Sequence, residues 1–96
     1  MFITITSTQE ASQDYTATEK FLSEFLPRLR RYPGVLSVYS YNIKDKGKGN
    51  TIVIWENEDA VKSYWNSELI KETAEFAVKS NVTITRGTFP LAIALG

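Results

Sequence analysis

Residues 2–7 alternate, with Ile3 and Ile5 on one face and Thr4 and Thr6 on the other, the period-2 pattern of a half-buried strand. The polar stretch 8–15 (Gln9, Ser12, Gln13, Asp14) predicts a loop running into a helix. From Thr16 onward, Phe21, Leu22, Phe25, Leu26 and Leu29 form an apolar stripe one helix face wide. Pro27 lies inside this stripe, where it removes a backbone donor and crowds the carbonyl of Ser23. Because Leu29 continues the stripe, the pattern predicts a kink there rather than a stop. The helix is expected to end near Tyr32, since Pro33 cannot continue it and Gly34 can turn it.

Residues 35–44 (VLSVYSYNIK) predict a second strand, with Leu36 and Val38 on one face and Tyr39 and Tyr41 on the other. Residues 45–50 (DKGKGN) predict a hairpin turn in which Gly47 and Gly49 supply positive-φ positions. Their spacing fits neither a Walker A loop nor a dinucleotide fingerprint. Residues 51–56 follow as a third strand, with Ile52, Val53 and Ile54 as consecutive β-branched residues and Trp55 near its end. Asn57 reads as the N-cap of a short helix carrying Ala60, Val61 and Tyr64 at helical spacing. Ser67 reads as the cap of a longer helix through Lys79, with an apolar face that includes Leu69, Ile70, Thr73, Ala74, Phe76 and Ala77. Residues 82–89 set Val82, Ile84 and Arg86 against Thr83 and Thr85, a fourth strand. The apolar run LAIAL follows Pro90. Left bare, such a terminal run is sticky, and a second copy of the chain is its simplest cover.

The order strand, helix, strand, strand, helix pair, strand is the split β-α-β arrangement of ferredoxin-like folds. It predicts one α+β domain over residues 1–96, with a four-stranded antiparallel sheet and helices on one face. Tyr39, Tyr41, Val53 and Trp55 are expected to keep the other face largely dry in a face-to-face homodimer. A monomer of 96 residues buries only roughly 60–65% of its unfolded surface, so a partner subunit would help.

Charge narrows the classes of partner. Lys plus Arg equals Asp plus Glu at 11 each, so no net field draws the chain to nucleic acid or a membrane. Arg28, Arg30 and Arg31 near a helix C-terminus suit the macrodipole, and Lys44, Lys46 and Lys48 read as a solvated turn. The chain contains no Cys and no His. That removes disulfides, thiolate nucleophiles, the usual zinc sites, a Ser-His-Asp triad and axial-His haem ligation. No metal or cofactor is expected. No apolar run approaches the length of a membrane span, and Thr4, Thr6 and Ser7 break up the N-terminus too early for a leader, so a cytoplasmic location is expected.

Pro33 and Gly34 before the second strand, IWENEDA from Ile54 to Ala60, then Tyr64 and Ser67, resemble the antibiotic biosynthesis monooxygenase family of dimeric α+β barrel proteins. The resemblance implies a homodimer whose sheets close into a barrel, with a mainly apolar pocket between sheet and helices in each subunit. It also implies a cofactor-independent monooxygenase acting on a small aromatic polyphenol or quinol, which is deprotonated in the site and itself passes an electron to oxygen. Such chemistry needs a proton acceptor, polar contacts to the phenolate and dry surroundings.

The family's strand-end Trp matches Trp55, which is expected to wall the pocket. An Asn found four positions earlier in some oxygenases is Thr51 here, and the His common on the next helix is Tyr64. Thr51 and Tyr64 are therefore expected to contact substrate oxygens, although an ordinary tyrosine with a pKa of about 10 is a poor base at neutral pH. Haem-degrading relatives use an Asn where this chain has Ser7 and a His near Ala74, so the lack of His counts against haem degradation. Ser7 either touches ligand or ends its strand. Arg86, on an otherwise apolar strand face, either stabilises an anionic substrate bidentately or pairs with Glu56 or another carboxylate. The alternative to catalysis is a dimeric module of the same fold that binds a small molecule in a regulatory or stress role.

Overall fold

A computed structural model describes residues 1–92 and Leu95, with every side chain among them except that of Lys44. The chain runs β1 (Phe2–Glu10), α1 (Thr16–Arg30), β2 (Val35–Ile43), β3 (Lys48–Trp55), α2 (Glu58–Trp65), α3 (Glu68–Lys79) and β4 (Val82–Pro90), with one 3₁₀ turn at Lys44–Lys46. All strand pairs are antiparallel, in the spatial order β2-β3-β1-β4, the ferredoxin-like arrangement. Asn57 caps α2 by accepting from the Ala60 amide at 2.9 Å, and the Ser67 hydroxyl caps α3 by accepting from Ile70 at 3.4 Å. α1 passes through Pro27 without a break.

β1 is longer than the alternation of residues 2–7 predicts, because Thr8, Gln9 and Glu10 pair with both neighbouring strands. Their polarity disguises an inward-facing end. The hydroxyls of Thr8 and Tyr15 share a hydrogen bond of 2.7 Å beneath the start of α1. The buried Glu10 carboxylate accepts from the Thr18 amide at 2.7 Å and the Thr18 hydroxyl at 2.6 Å. Tyr15, the N-cap residue of α1, makes no side-chain cap. Glu10 replaces it from the neighbouring strand, an anion at the positive end of the helix.

The two faces of the sheet are sorted in an unexpected way. Register places Thr4, Thr6 and Thr8 of β1 with Thr51, Val53 and Trp55 of β3 on the helix side. Val53 and Trp55 thus belong to the main core with Phe25, Leu29, Val61 and Tyr64, and not to the open face where bulk is expected of them. Ile3, Ile5, Ile52 and Ile54 point the other way, joined there by Tyr39, Tyr41 and Phe89 through strand pairing. A register shift between Val35 and Ser37 leaves Leu36 unpaired and exposed, so Leu36 does not share the face of Val38. Leu91 continues the β1–β4 edge by donating its amide to the Met1 carbonyl, and Leu95 is exposed. Ile93, Ala94 and Gly96 of the apolar tail lie outside the described residues.

Two glycines are required for different reasons. Gly34 has φ +92°, and a Cβ there would lie 2.4 Å from that of Ala60. Gly47 also has a positive φ, but Gly49 does not and sits inside β3. Its role is space, because a Cβ would lie 2.0 Å from the Tyr15 hydroxyl oxygen. Gly49→Ala is therefore expected to cost about 1–3 kcal/mol through overpacking, lowering the melting temperature by roughly 4–20 °C. A Gly49→Ala variant that melts with wild type would show that the Tyr15 ring has room to move.

Candidate functional site

A cleft runs between the helix side of the sheet and helices α1 and α3. Its floor is the threonine surface of β1 with Thr51 and Val53 of β3, and Ile84 and Arg86 of β4 continue it. α1 supplies Phe21, Leu22, Phe25 and Leu26, and α3 supplies Thr73 and Phe76. The free space is about 40 Å³, enough for about three waters at roughly 10–15 Å³ of such space each. Aromatic side chains take most of the room.

The polar groups are arranged in a row across the strands. Arg86 opposes Thr6, Thr6 opposes Thr51, and Thr51 opposes Ser40. The Thr51 and Ser40 hydroxyls are 3.2 Å apart and hydrogen-bonded. Arg86 donates to Thr73 Oγ1 at 2.7 Å, while Thr73 donates to the Ile70 carbonyl at 2.6 Å. The guanidinium carbon lies 5.8 Å from the Trp65 ring centroid, within cation–π reach. Among the described residues no carboxylate pairs with Arg86, Glu56 included. Among the described residues it donates one hydrogen bond, to Thr73, so its other donors are available to a ligand.

Tyr64 is held by rings on three sides: Tyr32 at 5.7 Å, Trp55 at 5.3 Å and Trp65 at 5.5 Å between centroids. Its hydroxyl lines the cleft and makes no hydrogen bond to another described residue. Burial pushes its pKa up to about 12, against the opposing pull of the Arg86 charge, and Tyr32 raises it further. The group is a neutral donor throughout the physiological range rather than a base.

The expected site residues fall into three groups. Tyr64, Arg86 and Thr51 meet in the cleft. Trp55 is fully buried behind it, where its indole donates to Thr4 Oγ1 at 3.0 Å and it packs against Tyr64. Ser7 points to the opposite face of the sheet and donates to Asn50 Oδ1 at 2.5 Å, and Asn50 in turn donates to the Tyr41 hydroxyl at 2.9 Å. Thr6, Thr73, Phe21 and Phe76 line the cleft without having been singled out from sequence. The cue for Thr6 is its strand parity with Thr4 and Thr8; the Phe residues look like ordinary core. Among the described residues no group of three or more acidic, His or Cys side chains is placed to hold a metal ion, and no helix is long and apolar enough to cross a membrane.

No family model and no curated protein matches this chain. Solved structures do. A Deinococcus radiodurans protein that carries the name of an antibiotic biosynthesis monooxygenase superposes with TM-score 0.87 at 14% identity, covering 100% of this chain and 97% of its own. SnoaB, a cofactor-independent oxygenase from Streptomyces nogalater, superposes with TM-score 0.77 at 17% identity, covering 98% and 96%. PA3566 from Pseudomonas aeruginosa gives 0.73 at 19% identity, covering 95% and 94%. The likeness extends over the whole sheet and all three helices, and it identifies the chain as having the α+β ferredoxin-like fold of the antibiotic biosynthesis monooxygenase proteins.

Proposed function

We propose that the protein is a cytoplasmic, homodimeric, cofactor-independent monooxygenase acting on a small aromatic polyphenol or quinol bound in this cleft. The observation that carries the reading is a Tyr64 hydroxyl with no hydrogen-bond partner among the described residues beside an Arg86 with donors to spare, in a cleft with a threonine floor and aromatic walls. Together they suit a phenolate oxygen: Arg86 as a fixed cation and Tyr64 as a neutral donor. Thr6 and Thr51 extend the polar row to further ring hydroxyls. No carboxylate lines the cleft among the described residues, so the substrate proton leaves to water, helped by the lowered pKa that a nearby cation imposes. The ionised substrate gives an electron to dioxygen, and the radical pair combines on the ring carbon para to the phenolate, which carries one hydrogen, to give a peroxide that takes up a proton from water. Loss of water leaves a carbonyl, so one oxygen atom enters the product and the other leaves as water.

A specific observation favours the second reading, a non-catalytic small-molecule-binding or stress protein of the same fold. Tyr64 is raised to about 12 and the free space is about 40 Å³, so the cleft holds neither a ready base nor an open chamber. Oxygen uptake with a panel of quinols and anthrones separates the two. The oxygenase reading expects uptake above buffer, reduced about tenfold or more in Arg86→Ala through loss of a charge-assisted contact of roughly 1.5–3 kcal/mol. Tyr64→Phe should retain part of the rate, and its effect should not depend on pH between 6 and 9, because the hydroxyl stays protonated far above that range. No uptake with any member of the panel would leave the binding module.

The homodimer rests on the open sheet face, where Tyr39, Tyr41 and Phe89 are 62%, 53% and 51% exposed beside Ile3, Ile5, Ile52 and Ile54. An apolar patch of this kind is uncommon on a monomer. Sedimentation at micromolar concentration should give twice the chain mass, and Ile5→Lys, a charge at its centre, should yield a folded monomer. A wild-type monomer would remove the dimer from the account. Deleting residues 91–96 should weaken association, which tests whether the tail takes part.

A further inference from the structure

Arg86 lines the cleft and yet is an exposed residue of β4. A long side chain so placed gives up much rotamer freedom when it is held in one direction, so a guanidinium without an anchor spreads its charge into solvent. Two contacts restrain it among the described residues. One is the Trp65 ring, whose centroid lies 5.8 Å from the guanidinium carbon. Cation–π attraction reaches to about 6 Å, so this contact is near its limit, and a ring face takes a cation over a range of directions. The other is the hydrogen bond of 2.7 Å from Arg86 to Thr73 Oγ1, which is charge-assisted, short and directional.

Thr73 is built to accept that bond. It is buried on α3, at 7% exposure, and its hydroxyl donates its single proton to the Ile70 carbonyl, three residues back, at 2.6 Å. A hydroxyl has one proton and two lone pairs, so Oγ1 has only acceptor sites left, and a guanidinium can only donate. The order Arg86 to Thr73 to Ile70 is thereby fixed, and consecutive bonds of this kind strengthen one another. The bond to Ile70 also holds Oγ1 in place, because it selects the threonine rotamer. The anchor is neutral as well. A carboxylate would order Arg86 but would take up the charge that a ligand oxygen needs.

We propose that Thr73 is the positioning residue of the cleft: its hydroxyl ties the exposed Arg86 guanidinium to α3, so that the whole positive charge stays at the cleft when a phenolate binds. This rests on the reading that Arg86 receives a phenolate. Thr73 itself touches no reacting atom and acts through Arg86. Its hydroxyl therefore discriminates between the two protonation states of a bound phenol, which a packing role at the same position does not.

Equilibrium dialysis of 4-nitrophenol, at pH values well below and well above its titration, measures the affinity for each form in wild type, Thr73→Val, Thr73→Ala and Thr73→Ser. Val keeps the shape of Thr without the hydroxyl, and Ala provides the same loss if Val does not fold. Both should bind the phenolate about tenfold more weakly than wild type while affinity for the neutral phenol changes by less than about threefold. Thr73→Ser restores the hydroxyl and should stay within about threefold of wild type for both forms. In the ligand-free protein, NMR relaxation of the Arg86 Nε–H should give an order parameter above about 0.6 in wild type and Thr73→Ser and below it in the other two. Unchanged phenolate affinity in Thr73→Val and Thr73→Ala would overturn the proposal and leave the phenolate reading intact. So would one common factor of loss for both forms, or an Arg86 as ordered without the hydroxyl as with it. Wild type that binds the phenolate no more tightly than the phenol would remove the phenolate reading itself, and the positioning role with it.

Discussion

The structure depends on an inversion in its central strand: β1 turns its threonines toward the helices and its isoleucines away from them. A buried hydroxyl without a partner is costly, so the residues around these threonines are chosen to bond them. Trp55 donates to Thr4, and Tyr15 is bonded to Thr8. Gly49 lacks a Cβ so that the Tyr15 ring can lie where it does. Thr6 is the exception, a cleft-lining hydroxyl without a partner among the described residues, and it lies directly across from Arg86. The same inversion leaves four isoleucines on the face without helices, and from that face the proposed dimer follows.

Polar groups in the cleft gain meaning from this arrangement. The rings around Tyr64 bury most of the side chain, and this burial raises the hydroxyl's pKa and holds it neutral. Among the described residues Arg86 has no carboxylate to neutralise it, and its contacts are the Thr73 hydroxyl and the face of Trp65. A neutral tyrosine hydroxyl and a guanidinium with unused donors together make a receiver for negative charge that develops on a bound oxygen, and they make a poor proton acceptor. For this reason the reading places deprotonation on the substrate and its contact with water, and gives the protein the work of stabilising the anion.

Much of the fold is legible in the sequence because its cues are local. Asn57 and Ser67 announce their helices by cap chemistry, and the stripe from Phe21 to Leu29 survives Pro27. What is not legible depends on contacts distant in sequence. Glu10 looks like loop polarity until Thr18 is folded over it. Gly49 looks like a turn glycine until Tyr15 is placed upon it. Of the candidate site, Tyr64, Arg86 and Thr51 converge, since each sits at a parity that the strand and helix periods predict. Ser7 follows the same period to the opposite face, because it is one residue out of step with Thr6 and Thr8. Trp55 is on the pocket side that the resemblance implies and not on the open face that its strand bulk suggests, and the ring is spent on the core and on Thr4.

The central claim is that the cleft stabilises a phenolate at Arg86 and Tyr64, and a titration of bound 4-nitrophenol tests it most directly, because its anion is yellow and its acid is not. At protein concentrations that bind the probe, colour should appear at lower pH than for the free phenol, and Arg86→Ala should abolish that shift. Colour appearing at the same or a higher pH than for the free phenol, as apolar burial alone produces, would contradict the account.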